Sequence, residues 1–137
     1  MAEGNSIRVR LVTPDKTFLD GTADSVSLPA RSGYLEVLYG HAPLLAELGA
    51  GEVTLHGGDI GDQQFFVAWG FVEVLPDRVT ILAESVMRPS EINIADARQD
   101  LEHGNRMWKE AGDESARYTQ ANLVIREAEE RIAAAES

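Results

Sequence analysis

Three histidines are the side chains best suited to acid–base chemistry or metal binding in this sequence. His41, His56 and His103 fall in a predicted loop, at a predicted strand end and in a predicted helix. None has a second histidine or a carboxylate at metal-ligand spacing beyond what chance gives in so acidic a chain. The sequence also lacks cysteine, a Gly-x-Ser-x-Gly elbow, a phosphate-binding glycine loop with lysine and a His-Glu-x-x-His motif. We therefore predict no catalytic site, no metal site and no cofactor.

His41 has the most distinctive surroundings, because it lies in the run Gly-His-Ala-Pro that ends the stretch 32–43. Gly40 permits a turn with positive φ, whereas Pro43 fixes its own φ and pushes Ala42 toward extended geometry. We predict a rigid loop between apolar strands. On local grounds the alternative is that Gly40 and Pro43 only shape a turn and that His41 satisfies a backbone group.

Composition and charge exclude several classes of partner. The 137 residues carry a formal net charge of −11, from 12 basic and 23 acidic side chains. This balance opposes binding to nucleic acid and to an anionic membrane surface. No stretch approaches the ~20 apolar residues of a membrane span, and the N-terminus lacks the pattern of a secretion signal. We expect no nucleic-acid binding, no direct lipid insertion and no export.

The composition changes at Arg88 and Pro89. All five prolines, ten of the 12 glycines and seven of the nine aromatic residues lie at or before Pro89. Residues 1–88 hold short alternating runs bounded by Gly, Pro and Asp, which predict an antiparallel β-sandwich or flattened barrel. The predicted strands are 7–12, 17–19, 25–28, 34–38, 52–56, 64–69, 71–75 and 78–83. We expect a flexible hairpin tip at 57–62, a tight turn at 76–77, and a bulge or tight bend at Gly70.

Residues 89–137 are rich in Ala, Glu, Gln and Arg and predict an antiparallel two-helix hairpin, which makes the fold class β + α. Ser90 is expected to cap a helix over 91–109, Gly112 to end it, and Asp113 to cap a second helix over 114–135. The predicted apolar stripes are Ile94, Ala97, Leu101 and Trp108, with Gly104 at a close approach, and Ala121, Ile125, Ala128, Ile132 and Ala135. Because the second stripe is largely alanine, we expect a weakly docked hairpin that can detach.

Together these features resemble the epsilon subunit of F-type ATP synthases, over nearly the whole chain. The resemblance rests on the Gly-x-Leu…Gly-His-x-Pro-Leu stretch, on the strand Gly-Phe-Val-Glu-Val with the following Val-Thr-Ile-Leu-Ala-Glu, and on the alanine-rich hairpin. The residues that carry it most strongly are Gly33, Leu35, Gly40, His41, Pro43, Leu44, Leu45, Gly70, Glu73, Val74 and those at 79–84.

The resemblance implies a non-catalytic rotor subunit of the central stalk, which binds the gamma subunit and the c-ring and couples ion flow to ATP synthesis from ADP and phosphate. It implies a peripheral position on the cytoplasmic face of a bacterial inner membrane, through the complex. The hairpin would reach the alpha and beta subunits of the catalytic head and regulate ATP hydrolysis. The segment facing the c-ring would present Arg31, Ser32, Gly33, Tyr34, Leu35, Gly40, His41, Pro43 and Leu44. Glu36 stands where family members usually have a second glycine.

The hairpin departs from the family pattern. Some bacterial members bind ATP through Ile-Asp-x-x-Arg-Ala on the first helix and arginines on the second. Ile94 and Arg98 fit this pattern, but Ala95 and Gln99 replace the acid and the final alanine. Arg131 matches on the second helix, with Glu127 where arginine is expected and Arg126 beside it.

Two hypotheses about the hairpin follow from this comparison. ATP is a candidate regulatory ligand of Ile94, Arg98, Arg126 and Arg131, and a free-standing ATP-sensing module is the alternative function. The acidic residues of the second helix would oppose its insertion beside acidic segments of the catalytic subunits, so we expect inhibition of hydrolysis that is weak or differently controlled.

Overall fold

The computed structural model describes residues 5–136. The chain divides into two compact units, Met1–Arg88 and Pro89–Ser137. The first unit is built from strands and the second from helices, as expected for the β + α class.

Seven strands form one continuous sheet in the first unit. They are β1 (Ile7–Val12), β2 (Thr17–Ala23), β3 (Ser25–Ala30), β4 (Gly33–Leu38), β5 (Leu44–His56), β6 (Gln63–Leu75) and β7 (Arg78–Met87). Their spatial order is β2-β1-β7-β6-β5-β3-β4. All neighbouring pairs are antiparallel except β1 and β7, which are parallel.

One hydrophobic core lies inside this sheet. Ile7, Val9 and Leu11 of β1 and Val37 of β4 belong to the same buried cluster, although β1 and β4 lie near opposite ends of the strand order. The sheet therefore curls over on itself to enclose the core. The period-2 alternation predicted for β1 is confirmed, since its three core residues are fully buried and the two arginines between them are exposed.

A bend crosses β6 at Trp69 and Gly70, with φ of 61° and 128°. Ala68 pairs with Ser85 before the bend and Gly70 pairs with Ala83 after it, in an unchanged register. The tight bend expected at Gly70 is thus observed, without an inserted bulge residue. The division of β6 into two strands was wrong, as was the start of β5 at residue 52, because both are continuous strands of 13 residues.

The tip between β5 and β6 folds back onto β2. Its expected flexibility is opposed by three hydrogen bonds. The Thr22 backbone N–H donates to the Asp59 carboxylate over 2.7 Å, and the Asp59 N–H donates to the Thr22 hydroxyl over 3.1 Å. The Ile60 N–H donates to the Thr22 carbonyl over 3.1 Å. Donation by the Thr22 backbone and then by its hydroxyl lowers the pKa of Asp59.

The second unit contains a 3-10 helix at Pro89–Glu91 and two α-helices, α1 (Ile94–Glu110) and α2 (Ser115–Glu136). The prediction that Ser90 caps α1 was wrong. Asn93 has extended backbone geometry at the N-cap and its side chain accepts from the Asp96 N–H over 3.1 Å. Gly112, at φ 60°, follows the end of α1 as expected.

The helices pack closely at Gly104. A Cβ at this position would lie 2.7 Å from Cγ1 of Ile125 on α2, which confirms the predicted close approach. In the predicted stripes Ala97, Ala121 and Ala128 are buried, whereas the others are half-buried or exposed. Trp108 faces α2 as the stripe predicts, since it contacts Tyr118 edge-on at 5.3 Å between ring centres, but it stays 48% exposed.

Candidate partner-binding surface

The segment 31–44 consists of an edge strand between two turns. Arg31 and Ser32 form the turn between β3 and β4, and residues 39–43 connect β4 to β5. The predicted strand 34–38 is confirmed as β4, which pairs with β3 on one side and ends the sheet on the other. Leu35 packs partly against the core, whereas Gly33, Tyr34, Gly40, Pro43 and Leu44 are exposed.

The turn that contains Gly40 is fixed to its surroundings. Gly40 adopts φ 90°, as predicted from its position before His41. Its N–H donates to the Pro76 carbonyl over 2.7 Å, and the His41 N–H donates to the Leu38 carbonyl over 3.1 Å. His41 Nδ1 lies 2.7 Å from the Ala42 carbonyl oxygen. His41 thus contacts backbone groups, as the local interpretation of the sequence allowed, and the turn is attached to the one between β6 and β7.

Tyr34 lies across the sheet from β4 to β5. Its hydroxyl accepts a hydrogen bond from the Glu52 N–H over 3.0 Å. A Cβ at Gly51 would lie 2.5 Å from this hydroxyl oxygen, so only glycine leaves room for the tyrosine. Sequence reasoning missed this contact. The signal available was a glycine inside an apolar strand, which often marks a close approach.

Arg31 is held at the other turn by two residues from different strands. Its backbone N–H donates to the Glu47 carbonyl over 2.9 Å, and its guanidinium lies 3.7 Å from the Glu47 carboxylate. The guanidinium carbon also lies 5.7 Å from the centre of the Trp69 ring, within the range of a cation–π interaction. Neither Glu47 nor Trp69 was identified from the sequence, because both are distant from Arg31 along the chain.

Large apolar side chains are exposed on the segment and on the outer face of the sheet beside it. On the segment these are Tyr34, Leu38, Tyr39 and Leu44, and on β5, β6 and β7 they are Leu45, Phe71 and Leu82. Phe71 pairs directly with Leu82, so those two side chains share one face. We call these sets the end surface (Tyr34, Leu38, Tyr39, Leu44) and the side surface (Leu45, Phe71, Leu82). Exposed large apolar side chains grouped on one part of a surface are typical of protein interfaces.

The residues predicted to bind ATP do not form an open site in this structure. Arg98 lies 3.6 Å from the Glu136 carboxylate, and Arg131 is paired with Asp100. Both pairs join the start of α1 to the end of α2, and Arg126 pairs with Glu130 over 3.6 Å. Ile94 is half-buried. ATP binding stays a prediction, and ATP phosphates would have to displace these carboxylates.

The rest of the described chain offers few other sites. Within residues 5–136, no group of three or more His, Asp or Glu side chains is arranged to hold a metal ion. Neither α-helix in that range is long and apolar enough to cross a membrane.

Comparison with known proteins identifies the family. Residues 6–89 match the family described as "ATP synthase, Delta/Epsilon chain, beta-sandwich domain". The ATP synthase epsilon chain of Koribacter versatilis is 41% identical over 112 residues, which cover 80% of this chain and 77% of that protein. The chain belongs to the epsilon-subunit family of F-type ATP synthases.

Other epsilon-family relatives cover more of the chain. The ATP synthase epsilon chain of Halalkalibacterium halodurans is 39% identical over 127 residues, which are 93% of this chain and 95% of that protein. The family resemblance found in the sequence is thereby confirmed. It makes the chain a subunit of ATP synthase other than the catalytic one, and the expected sandwich is the family's N-terminal domain.

Two solved structures share the epsilon-family fold. A chain of the Euglena gracilis mitochondrial ATP synthase, in a structure of its OSCP, F1 and c-ring, aligns with a TM-score of 0.79 at 21% identity, over 98% of this chain and 86% of that one. A chain in a structure of the central stalk and c-ring of the Tetrahymena thermophila mitochondrial ATP synthase gives 0.68 at 16% identity, over 94% and 96%.

Proposed function

We propose that this epsilon-family chain is a rotor subunit of the ATP synthase central stalk that binds the c-ring through its end surface and the gamma subunit through its side surface. In this role it makes and breaks no covalent bond. It transmits torque between the ring and the stalk, and so couples ion flow to ATP synthesis. One observation carries the proposal. Segment 31–44 exposes several apolar side chains, and its backbone is hydrogen bonded to the rest of the sandwich.

The attachments of the segment suit a mechanical contact. Gly40 is hydrogen bonded to Pro76, Tyr34 to Glu52 and Arg31 to Glu47. These bonds join the edge strand and both of its turns to β5 and to the β6–β7 turn. A contact held at several points resists shear, which a part that passes on torque requires.

The side surface suits a partner that packs a continuous apolar stripe against the sheet. Leu45, Phe71 and Leu82 lie on three adjacent strands, and Phe71 is 52% exposed. Burying such side chains is worth about 1.5–3 kcal/mol each. An apolar stripe along a helix of gamma would fit this surface.

The experiment is to add the chain back to ATP synthase depleted of its epsilon subunit and to measure ATP-driven ion pumping together with capture of gamma. We expect Leu44→Asp to lower pumping while gamma is still captured, and Phe71→Asp to abolish capture of gamma. Asp15→Asn, on an exposed position of the β1–β2 turn, is the matched surface control and should behave like wild type. Wild-type pumping and gamma capture by both aspartate variants would contradict the proposal.

We propose further that the hairpin contacts the alpha and beta subunits and inhibits ATP hydrolysis only weakly. Its α2 helix has acidic residues at 127, 129, 130 and 136, which would repel acidic surfaces of the catalytic head. Deletion of residues 89–137 should therefore change hydrolysis by the whole complex by less than about twofold. A large rise in hydrolysis would show strong inhibition instead.

We also propose that the chain lies at the cytoplasmic face of a bacterial inner membrane, where it is held through the complex. Membrane fractionation with and without the c-ring tests this location.

A further inference from the structure

Trp69 has a backbone conformation that is unusual for its residue type. Its φ is 61°, and it is the one non-glycine residue with positive φ among residues 5–136. Positive φ is uncommon outside Gly, Asn and Asp, and for a bulky side chain it marks a strained position. A tryptophan here needs a compensating role.

The fold explains why residue 69 has positive φ, but it does not explain why this residue is a tryptophan. The core residues of β6 are Phe65 and Val67 before the bend and Val72 and Val74 after it. Core positions thus change from odd to even numbers across the bend, and the positive φ values at Trp69 and Gly70 accomplish this change. Glycine would serve equally well at position 69, and without strain.

The ring of Trp69 does have a specific contact, which is the guanidinium of Arg31. The guanidinium lies 5.7 Å from the ring centre and 3.7 Å from the carboxylate of Glu47. The Arg31 side chain nevertheless keeps 49% of its surface exposed. Two residues on neighbouring strands therefore restrain a cation that solvent, or a partner, can still reach.

Arg31 is also far from other basic residues along the sequence. It is the only lysine or arginine between Lys16 and Arg78 in a chain with a formal charge of −11. A partner with carboxylate or carbonyl oxygens would find at this turn a charge opposite to that of most of the surface. Arginine forms two directed hydrogen bonds to such groups when its plane is held in place.

We propose that Trp69 is a positioning residue, whose ring, together with the Glu47 carboxylate, holds the Arg31 guanidinium as a donor for carboxylate or carbonyl oxygens of the partner bound by segment 31–44. This inference rests on the proposed function, because it deepens the description of the same contact. The partner group is an oxygen acceptor on a protein surface, and Arg31 adds direction to the apolar contact of the end surface.

The test is a double-mutant cycle in the full-length chain, measured as affinity for ATP synthase depleted of epsilon. Arg31→Gln and Trp69→Gly should each weaken binding by about fivefold. Because Trp69 acts only through Arg31, the double variant should lose no more affinity than Arg31→Gln alone. Thermal unfolding of Trp69→Gly is measured beside the binding, because the variant is relieved of the strain at φ 61° but loses a half-buried ring; the binding comparison is made at a temperature where both proteins are folded.

Two further variants separate the ring from the backbone. Trp69→Phe keeps an aromatic face and should bind like wild type, whereas Trp69→Asn tolerates positive φ but lacks the face and should bind like Trp69→Gly. The inference is overturned if Trp69→Gly binds as wild type does, or if the losses multiply in the double variant. If the Arg31 and Trp69 variants bind with wild-type affinity while Leu44→Asp still lowers pumping, this inference fails and the proposed function stands. Failure of wild type to bind the depleted enzyme overturns both.

Discussion

Replacing Gly70 by alanine tests how the bend in β6 is built. Gly70 has φ 128°, and a Cβ placed on it would lie 1.9 Å from the carbonyl oxygen of Leu82. This oxygen belongs to the backbone of β7, which pairs with β6 through Gly70 and Ala83 and through Phe71 and Leu82. No side-chain rotation can relieve the overlap, so the two strands must separate locally.

The expected loss of stability has two parts. A non-glycine residue in a left-handed conformation costs about 1–2 kcal/mol. Separation of the strands at Leu82 also breaks or weakens one to two ladder hydrogen bonds, each worth about 0.5–1.5 kcal/mol. The sum is about 1.5–5 kcal/mol. For a unit the size of Met1–Arg88, with a total of about 4–13 kcal/mol, this is a large share and corresponds to a fall in Tm of roughly 6–40 °C.

Thermal unfolding of the full-length chain, followed by near-ultraviolet circular dichroism, measures this loss. Gly33→Ala is the matched control, because Gly33 has φ 137° but no atom within 4 Å of the position that the alanine methyl group would take. The control should show only the conformational cost, about 1–2 kcal/mol. If both variants lower Tm equally, the steric part of the reasoning is refuted. If neither lowers it, the conformational part is refuted as well.

Three further changes have expected outcomes. Gly51→Ala places a methyl 2.5 Å from the Tyr34 hydroxyl and should cost at least about 1 kcal/mol in urea unfolding, with no extra loss in the double variant with Tyr34→Phe. Asp100→Asn removes one of two carboxylate partners of Arg131, whose side chain is only 16% exposed and keeps Glu127 at 4.0 Å, and should destabilise the hairpin by about 1–3 kcal/mol, measured from helical circular dichroism. Asp59 has a pKa below its ordinary 3.8 in the folded chain, so its contribution is present above about pH 4 and is lost as pH falls through the lower folded value. Asp59→Asn should therefore make Tm less dependent on pH in this acid range, and an unchanged acid slope would contradict the assignment.

The strands were predictable where their patterns are local. In β1, Ile7, Val9 and Leu11 alternate with polar or exposed residues, and a sheet with one covered face requires this alternation. In β5 and β6 the alternation changes phase at Gly49–Gly51 and at Trp69–Gly70. A break in periodicity with glycine inside it looks like the end of a strand in sequence. Pairing with neighbouring strands carries both through the bend, and that pairing is not visible locally.

In the candidate surface, too, local features were predictable and long-range contacts were not. The positive φ of Gly40 follows from residues 40–43 alone, and it is observed. The contacts of Tyr34 with Gly51 and of Arg31 with Trp69 join residues 17 and 38 positions apart, and only the fold brings them together. The N-cap of α1 could not be predicted either, although it depends only on nearby residues. Ser90 and Asn93 are both good capping residues, and the 3-10 turn at Pro89–Glu91 delays the helix until Asn93.

Under the proposed function, the end surface and Arg31 would together supply two kinds of interaction that a contact passing on torque needs for different reasons. Apolar burial at Leu38, Tyr39 and Leu44 is non-directional, so it supplies affinity without fixing an orientation. Charged hydrogen bonds contribute more to orientation and partner choice than to net affinity. With Arg31 restrained at one turn and Gly40 bonded to Pro76 at the other, the edge strand is held at both ends. A partner on this surface would then be bound by the apolar residues and aligned by the arginine, and torque would pass into the sandwich through β5 and the β6–β7 turn.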